Sequence, residues 1–222
     1  MEVIRIENLS FAYHSHNVIK NINLRVEKGE FVCIVGENGG GKSTLIKCIL
    51  GLNKGYKGKI VSTERIGYLP QVTEVQNNFP ATIEEVVLSG TIPNGLGRLF
   101  YNKEDKQMCN DAIEQVGLQN IRKKCFRELS GGQKQRTLIA RAICSAAKIL
   151  ILDEPVNGLD PDIAAQVYSV VRKINKEDGI TVIMVSHDVH RALDYADRVV
   201  QIKAGEISFN GSPKEYDCRE NK

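Results

Sequence analysis

A chain of 222 residues, 42% hydrophobic and 26% charged, has the apolar content for one substantial core, or for one core and a smaller lobe. Its net charge of +3 is spread along the chain, and a short cluster such as Arg122-Lys123-Lys124 reads as solvated surface, which argues against a nucleic-acid partner. No apolar run approaches the ~20 residues that span a bilayer, and no N-terminal segment pairs a basic start with an apolar stretch, so the expectation is a cytoplasmic protein. The six cysteines (33, 48, 109, 125, 144 and 218) never fall in C-x-x-C spacing and read as reduced packing residues.

In chain order, Val3 to Ile6 with Leu9, Phe11 and Tyr13 predicts a strand, and His14-Ser15-His16-Asn17 a turn. Ile22, Leu24 and Val26 then alternate with Asn21, Asn23 and Arg25, the pattern of antiparallel strands with one wet face. Phe31 to Val35 is continuously apolar, as in a strand buried on both faces. The segment Gly36-Glu37-Asn38-Gly39-Gly40-Gly41-Lys42-Ser43-Thr44 follows it, matches G-x-x-x-x-G-K-[ST], and leads into an amphipathic helix (Leu45, Ile46, Ile49) stopped by Gly51. Four glycines in this loop allow backbone N–H groups to crowd around phosphate oxygens. Lys42 would neutralise the β and γ phosphates of ATP, Ser43 would offer its hydroxyl to Mg²⁺, and the helix start faces the anion.

Lys54 to Lys59 reads as a loop entering another hairpin, and Arg65 to Leu69 as a strand ending at Pro70-Gln71. From residue 72 the pattern is loop and helix: polar residues to Asn78, a capping box from Thr82 to Glu85, and a second helix from near Asn102 to Val116 before Gly117. Without strand signals, this stretch is expected to form a separate helical lobe. Ser130 and Gln133 make a further capping box, and the helix they open (Leu138, Ile139, Ala142, Ile143) leads to a buried strand, Ile149 to Leu152, ended by Asp153-Glu154-Pro155. Asp160-Pro161 starts a helix to about Lys176, and Thr181 to Val185 is another buried strand, ending at Ser186-His187-Asp188. A short helix, a strand from Arg198 to Ile202, a turn at Ala204-Gly205-Glu206 and Ile207 to Phe209 follow. Polar residues then run to Lys222, from which no extra regulatory domain is expected. The fold class is α/β: a mainly parallel P-loop sheet wrapped by helices, with an N-terminal antiparallel β subdomain and an inserted helical subdomain. The nucleotide-binding core is expected over residues 1–71 and 146–222, and the helical subdomain over 72–145.

In such sheets ligands bind beyond the carboxyl ends of the strands. That rule gathers residues 36–43, Gln71, Asp153, Glu154 and His187 in one place. Asp153 is positioned to bind Mg²⁺, and Glu154 to orient and deprotonate an attacking water. Ser130-Gly131-Gly132-Gln133 is a helix cap that also makes an anion site. A helix terminus contributes only about 0.3–1 kcal/mol toward a charge, ~2 in good geometry, so it must act on a nucleotide held elsewhere, naturally by a second copy of the chain.

These motifs resemble, nearly end to end, the nucleotide-binding subunits of ATP-binding-cassette transporters. GENGGGKST is similar to their P-loop, Leu129-Ser130-Gly131-Gly132-Gln133 to the signature LSGGQ, and ILILDEP to their acidic strand, with Gln71, Asp160 and His187 at the glutamine, aspartate and histidine loops. The resemblance implies that Tyr13, rather than the competing Phe11, stacks on adenine. It further implies that Gln71 senses Mg²⁺ and the membrane partner, that His187 contacts the γ-phosphate, and that Ser130 and Gly132 do so from a second copy. Phe79 to Gly90 is similar to the corresponding segment of zinc and manganese importer ATPases. The implied partners are a membrane permease on the inner face of the cell membrane and, indirectly, an extracytoplasmic solute-binding protein. His14 and His16, or His187 and His190, are not read as a metal site, because neither pair has further ligands at structural-site spacing. A cassette for another solute, or one acting on DNA or ribosomes, is the alternative. Relatives of that second kind carry coiled-coil insertions or paired cassettes, which this chain lacks.

Overall fold

Side-chain periodicity sorts the strands into two sheets in this computed structural model, which describes residues 1–71, 80–91, 100–145 and 147–220. Strands β1 (Glu2–Tyr13) and β2 (His16–Glu27) are long and one-sided: Ile22, Leu24 and Val26 are buried while Asn21, Asn23 and Arg25 face water. Next come β3 (Phe31–Val35), buried at every position, α1 (Lys42–Ile49), β4 (Lys57–Ser62) and β5 (Ile66–Leu69). The expected hairpin between the last two does not form. β4 instead pairs antiparallel with β1, giving the order β2-β1-β4, and β5 crosses to the other sheet to run parallel to β6 (Ile149–Asp153). Gly58 makes the first pairing possible: at φ 97°, its missing side chain lets the Asn8 carbonyl oxygen come within 2.5 Å of where a Cβ would stand.

Among the described residues three α-helices stand between β5 and β6, each opened by a capping box that satisfies orphan N–H groups: α2 (Ile83–Leu88) by Thr82 and Glu85, α3 (Lys103–Gln115) by Asn102 and Asp105, α4 (Gly131–Ile143) by Ser130 and Gln133. The stretch 72–78 and Phe79 lie outside the described residues. After β6 come α5 (Pro161–Glu177), β7 (Thr181–Val185), α6 (Val189–Tyr195), β8 (Arg198–Lys203) and β9 (Glu206–Gly211). The second sheet has the order β5-β6-β7-β3-β8-β9, parallel except for β9.

Strand alternation splits the core of this sheet in two. Val32, Ile34, Ile149, Ile151, Ile183 and Val185 pack with α1 and the antiparallel sheet, while Phe31, Cys33, Val35, Leu150, Leu152 and Met184 face the other way. From the described helices of this stretch, Ile83, Val87, Cys109, Ile113, Leu138 and Ile139 join that second cluster. All six cysteines are free, and burial pushes the Cys33 thiol up to about 12, which suits a packing residue.

The polar tail after Phe209 is not a loose end. Ser212 and Glu215 cap α7 (Pro213–Glu220), whose Tyr216 is buried and accepts a hydrogen bond from Gln201 Nε2 at 3.0 Å. The local signal was present in Ser212-Pro213-Lys214-Glu215, a serine cap with proline at the first helical position.

Candidate active site

Because β5, β6, β7 and β3 are neighbours, their carboxyl ends present Gln71, Asp153-Glu154, Ser186-His187 and Gly36–Ser43 along one edge. The loop after β3 needs its glycines for backbone reasons. Gly36 (φ 139°), Gly39 (φ 77°) and Gly41 (φ 107°) lie in the left-handed region, and a Cβ on Gly36 would overlap the carbonyl oxygen of Ile202. Lys20 N–H donates to the Gly205 oxygen at 2.8 Å and Gly205 N–H to the Gly40 oxygen at 3.1 Å, so β2 and the β8–β9 turn brace the loop from outside. Gly41 starts α1 without a side-chain cap, leaving the first N–H groups free to meet an anion.

Lys42 is 5% exposed and folds back so that Nζ donates to the Gly36 and Glu37 oxygens at 2.7 and 2.8 Å. Burial lowers its pKa, opposed by the nearby charges of Glu154 and Asp153. Asp153, 4% exposed, has its carboxyl pKa raised by burial and then by Glu154, opposed by Lys47, a hydrogen bond from Ser43 and Lys42. Its Oδ1 is buried with no hydrogen-bond partner among the described residues. A buried carboxyl oxygen without a donor fits a cation, and the Ser43 hydroxyl and Asp153 carboxyl are hard oxygen donors of the kind Mg²⁺ takes.

Glu154 turns away from Asp153 because its φ is 53°, a left-handed conformation uncommon for a side-chain-bearing residue. Its carboxylate is gripped from three sides. Oε2 accepts from Gln71 Nε2 at 2.9 Å and from Asn157 Nδ2 at 3.0 Å, and Oε1 meets His187 Nε2. Gln71 and His187 were singled out in the sequence; Asn157 was not, and no spacing rule pointed to it.

Of the two aromatics ending β1, Phe11 is 8% exposed and Tyr13 43%, packed edge-on with centroids 4.9 Å apart. Tyr13 therefore has the open ring face, and Asn53 Nδ2 donates to its hydroxyl at 2.9 Å.

Ser130 to Gln133 form the capped start of α4: Ser130 N–H donates to Gln133 Oε1 at 3.1 Å and Gln133 N–H to Ser130 Oγ at 3.4 Å. Among the described residues no hydrogen bond joins this segment to residues 36–44. Its glycines admit apolar neighbours instead, since a Cβ on Gly131 would stand 2.9 Å from Leu159 Cδ2 and one on Gly132 2.5 Å from Ile163 Cγ2. Asp160 caps α5, its Oδ1 accepting from Asp162 N–H at 2.9 Å. A cleft of about 240 Å³ lies beside it, lined by Glu154, Asn157, Ser186, His187 and Arg191 among others.

A family model described as ABC transporter matches residues 19–157. The zinc import ATP-binding protein of Wolbachia pipientis is 37% identical over 215 residues, spanning 96% of this chain and 84% of that protein. A manganese transport system ATP-binding protein of Listeria monocytogenes is 37% identical over 206 residues, 89% of this chain and 85% of that protein. Among solved structures, a dimeric, post-hydrolysis ATP-binding cassette bound to ADP and phosphate superposes with a TM-score of 0.76 at 28% identity, covering 95% of this chain and 98% of that one.

Proposed function

The chain belongs to the ABC transporter family as an ATP-hydrolysing cassette, and from that premise we propose that it powers import of a divalent transition metal, zinc or manganese, through a separate membrane permease. The observation that carries this reading is the division of the site. One chain gathers the P-loop, the Ser43–Asp153 pair and a gripped Glu154, whereas among the described residues its Ser130 segment shares no hydrogen bond with them.

In this mechanism Lys42 exchanges the Gly36 and Glu37 carbonyls for the phosphates of ATP, and the uncapped start of α1 donates to the same oxygens. Glu37, Asn38, Gly39, Gly40 and Thr44 complete the wall of the phosphate cradle. Ser43, Gln71 and Asp153 would hold Mg²⁺, which when bound neutralises charge between the β and γ phosphates. Tyr13 stacks on the adenine. Glu154 orients the attacking water and accepts its proton, while His187 and Gln71, released from Glu154, turn toward the γ-phosphate.

A second copy supplies Ser130, Gly131, Gly132 and Gln133 to the far side of that phosphate, with Asp160 near the contact. Hydrolysis removes the group bridging the two copies, and the dimer opens. The opening reaches the permease through the helical region, where an apolar cleft of about 540 Å³ is bounded by Pro80, Val86, Phe126 and Leu138, with Glu85 and Arg141 at its edges. Among the described residues no helix is long and apolar enough to cross a membrane. In this reading the chain works at the cytoplasmic face through its permease, with an external solute-binding protein delivering the metal. The zinc and manganese systems of its relatives support that solute class.

The test is Glu154→Gln in gel filtration. With ATP the variant should elute as a dimer and turn over at least 100-fold more slowly, the low end of what a general base contributes. A variant that remains monomeric with ATP would remove the sandwich, and one with wild-type turnover would remove Glu154 as the base. Uptake of labelled zinc or manganese should fall when the chain is deleted; unchanged uptake of both would remove the solute assignment.

A further inference from the structure

Three side chains hold the Glu154 carboxylate, and they differ in how far along the chain they come from. Gln71 follows β5 and His187 follows β7, so each reaches Glu154 from a separate strand end. Asn157 lies three residues on, in the same turn, where its own N–H donates to the Glu154 carbonyl at 3.2 Å while Nδ2 reaches Oε2 at 3.0 Å. Any rearrangement that moves the strand-end loops relative to one another can break the first two contacts. The third travels with Glu154.

We propose that Asn157 is a positioning residue, the donor that keeps the Glu154 carboxylate oriented once Gln71 and His187 have turned to the nucleotide; this rests on Glu154 being the base. One oxygen accepts the Asn157 amide N–H, and the other is left to accept the proton of the attacking water. Glu154 already occupies a left-handed backbone conformation, so a local tether restrains a side chain whose main chain is strained. Asn157 is solvent-exposed and has no packing role, which separates its amide chemistry from any contribution to the core.

The experiment measures ATP turnover of the full chain, with its permease where turnover requires it, in five variants. Asn157→Ala should lower kcat about 10-fold, the usual size of a lost supporting hydrogen bond, with KM within about twofold of wild type. Asn157→Asp, equal in size but unable to donate and of like charge to Glu154, should be slower still, and Asn157→Gln should recover part of the loss. Added to Glu154→Gln, Asn157→Ala should lower the residual rate no further and leave the ATP-bound dimer intact by gel filtration. Wild-type kcat in Asn157→Ala overturns the proposal, as does loss of the dimer in the double variant, which would assign Asn157 to the contact between copies. Wild-type turnover in Glu154→Gln alone would instead overturn the base assignment.

Discussion

The loop after β3 and the start of α4 are both glycine-rich segments opening a helix, yet the glycines serve opposite purposes. In the loop, three of them adopt left-handed backbone, the helix start is uncapped, and the donors remain open. At α4 the glycines are helical, Ser130 and Gln133 cap each other, and the absent side chains make room for Leu159 and Ile163. One segment leaves its hydrogen-bonding capacity open, at the expense of glycine's conformational entropy and a buried lysine; the other is satisfied within its own chain. The lesson is that a glycine's φ and its neighbours, more than its place in a motif, tell whether it serves a ligand or a packing contact.

The comparison breaks most visibly at Lys42. Lys42→Ala should weaken ATP binding by about 100-fold, as losing ~3 kcal/mol of charge-assisted hydrogen bonding would. Calorimetric titration checks it, and unchanged affinity would mean that the loop does not hold the phosphates.

Gly132→Ala sharpens the other side. The β-branched Ile163 sits on α5 with little rotamer freedom, so the added methyl forces a shift costing about 1–3 kcal/mol. The melting temperature should fall by several degrees while ATP affinity of the dilute chain stays the same. A loss of affinity without a loss of stability would place Gly132 at the nucleotide within one chain.

The smallest effect concerns Asp153. Its folded-state pKa is raised, so the folded chain binds more protons than the unfolded chain between the ordinary carboxylate range and that raised value. Its contribution to stability is therefore favourable at low pH and is lost as pH rises through this window. Asp153→Asn removes the buried charge and should raise the nucleotide-free melting temperature by about 2–4 °C at neutral pH, as ~1 kcal/mol does in a domain of this size, with no gain at acidic pH. Thermal scans of both proteins from acid to neutral would show it, and a variant less stable at neutral pH would contradict it.

Much of the fold was legible in local patterns. The capping residues Thr82, Asn102, Ser130 and Asp160 mark helix starts because a short polar side chain bonds the backbone two or three residues on. Ser212 carries the same signal, but the tail after Phe209 has only Tyr216 and Cys218 as apolar residues, too few to set a helical period. The hairpin expected after Lys54 failed for a different reason: strand pairing is a choice between partners, and nothing within β4 or β5 states that β1 and β6 are the better ones.

The site divides the same way. The P-loop glycines, Lys42, Asp153 and Glu154 are proposed from motif spacing within a few residues. The contact of Asn157 with Glu154 is not legible there, because it depends on Glu154 turning back at φ 53°, a backbone state that no neighbouring residue type announces.

By itself the sequence determined most of the strands and helices and the face each presents, α7 and the start of β4 excepted, since these follow from side-chain periodicity and capping within a few residues. Only the tertiary structure decided that β5, β6, β7 and β3 lie side by side and that Gln71, Asn157 and His187 meet on one carboxylate. Such meetings join residues as many as 83 positions apart, and they exist only once the sheet has chosen its strand order.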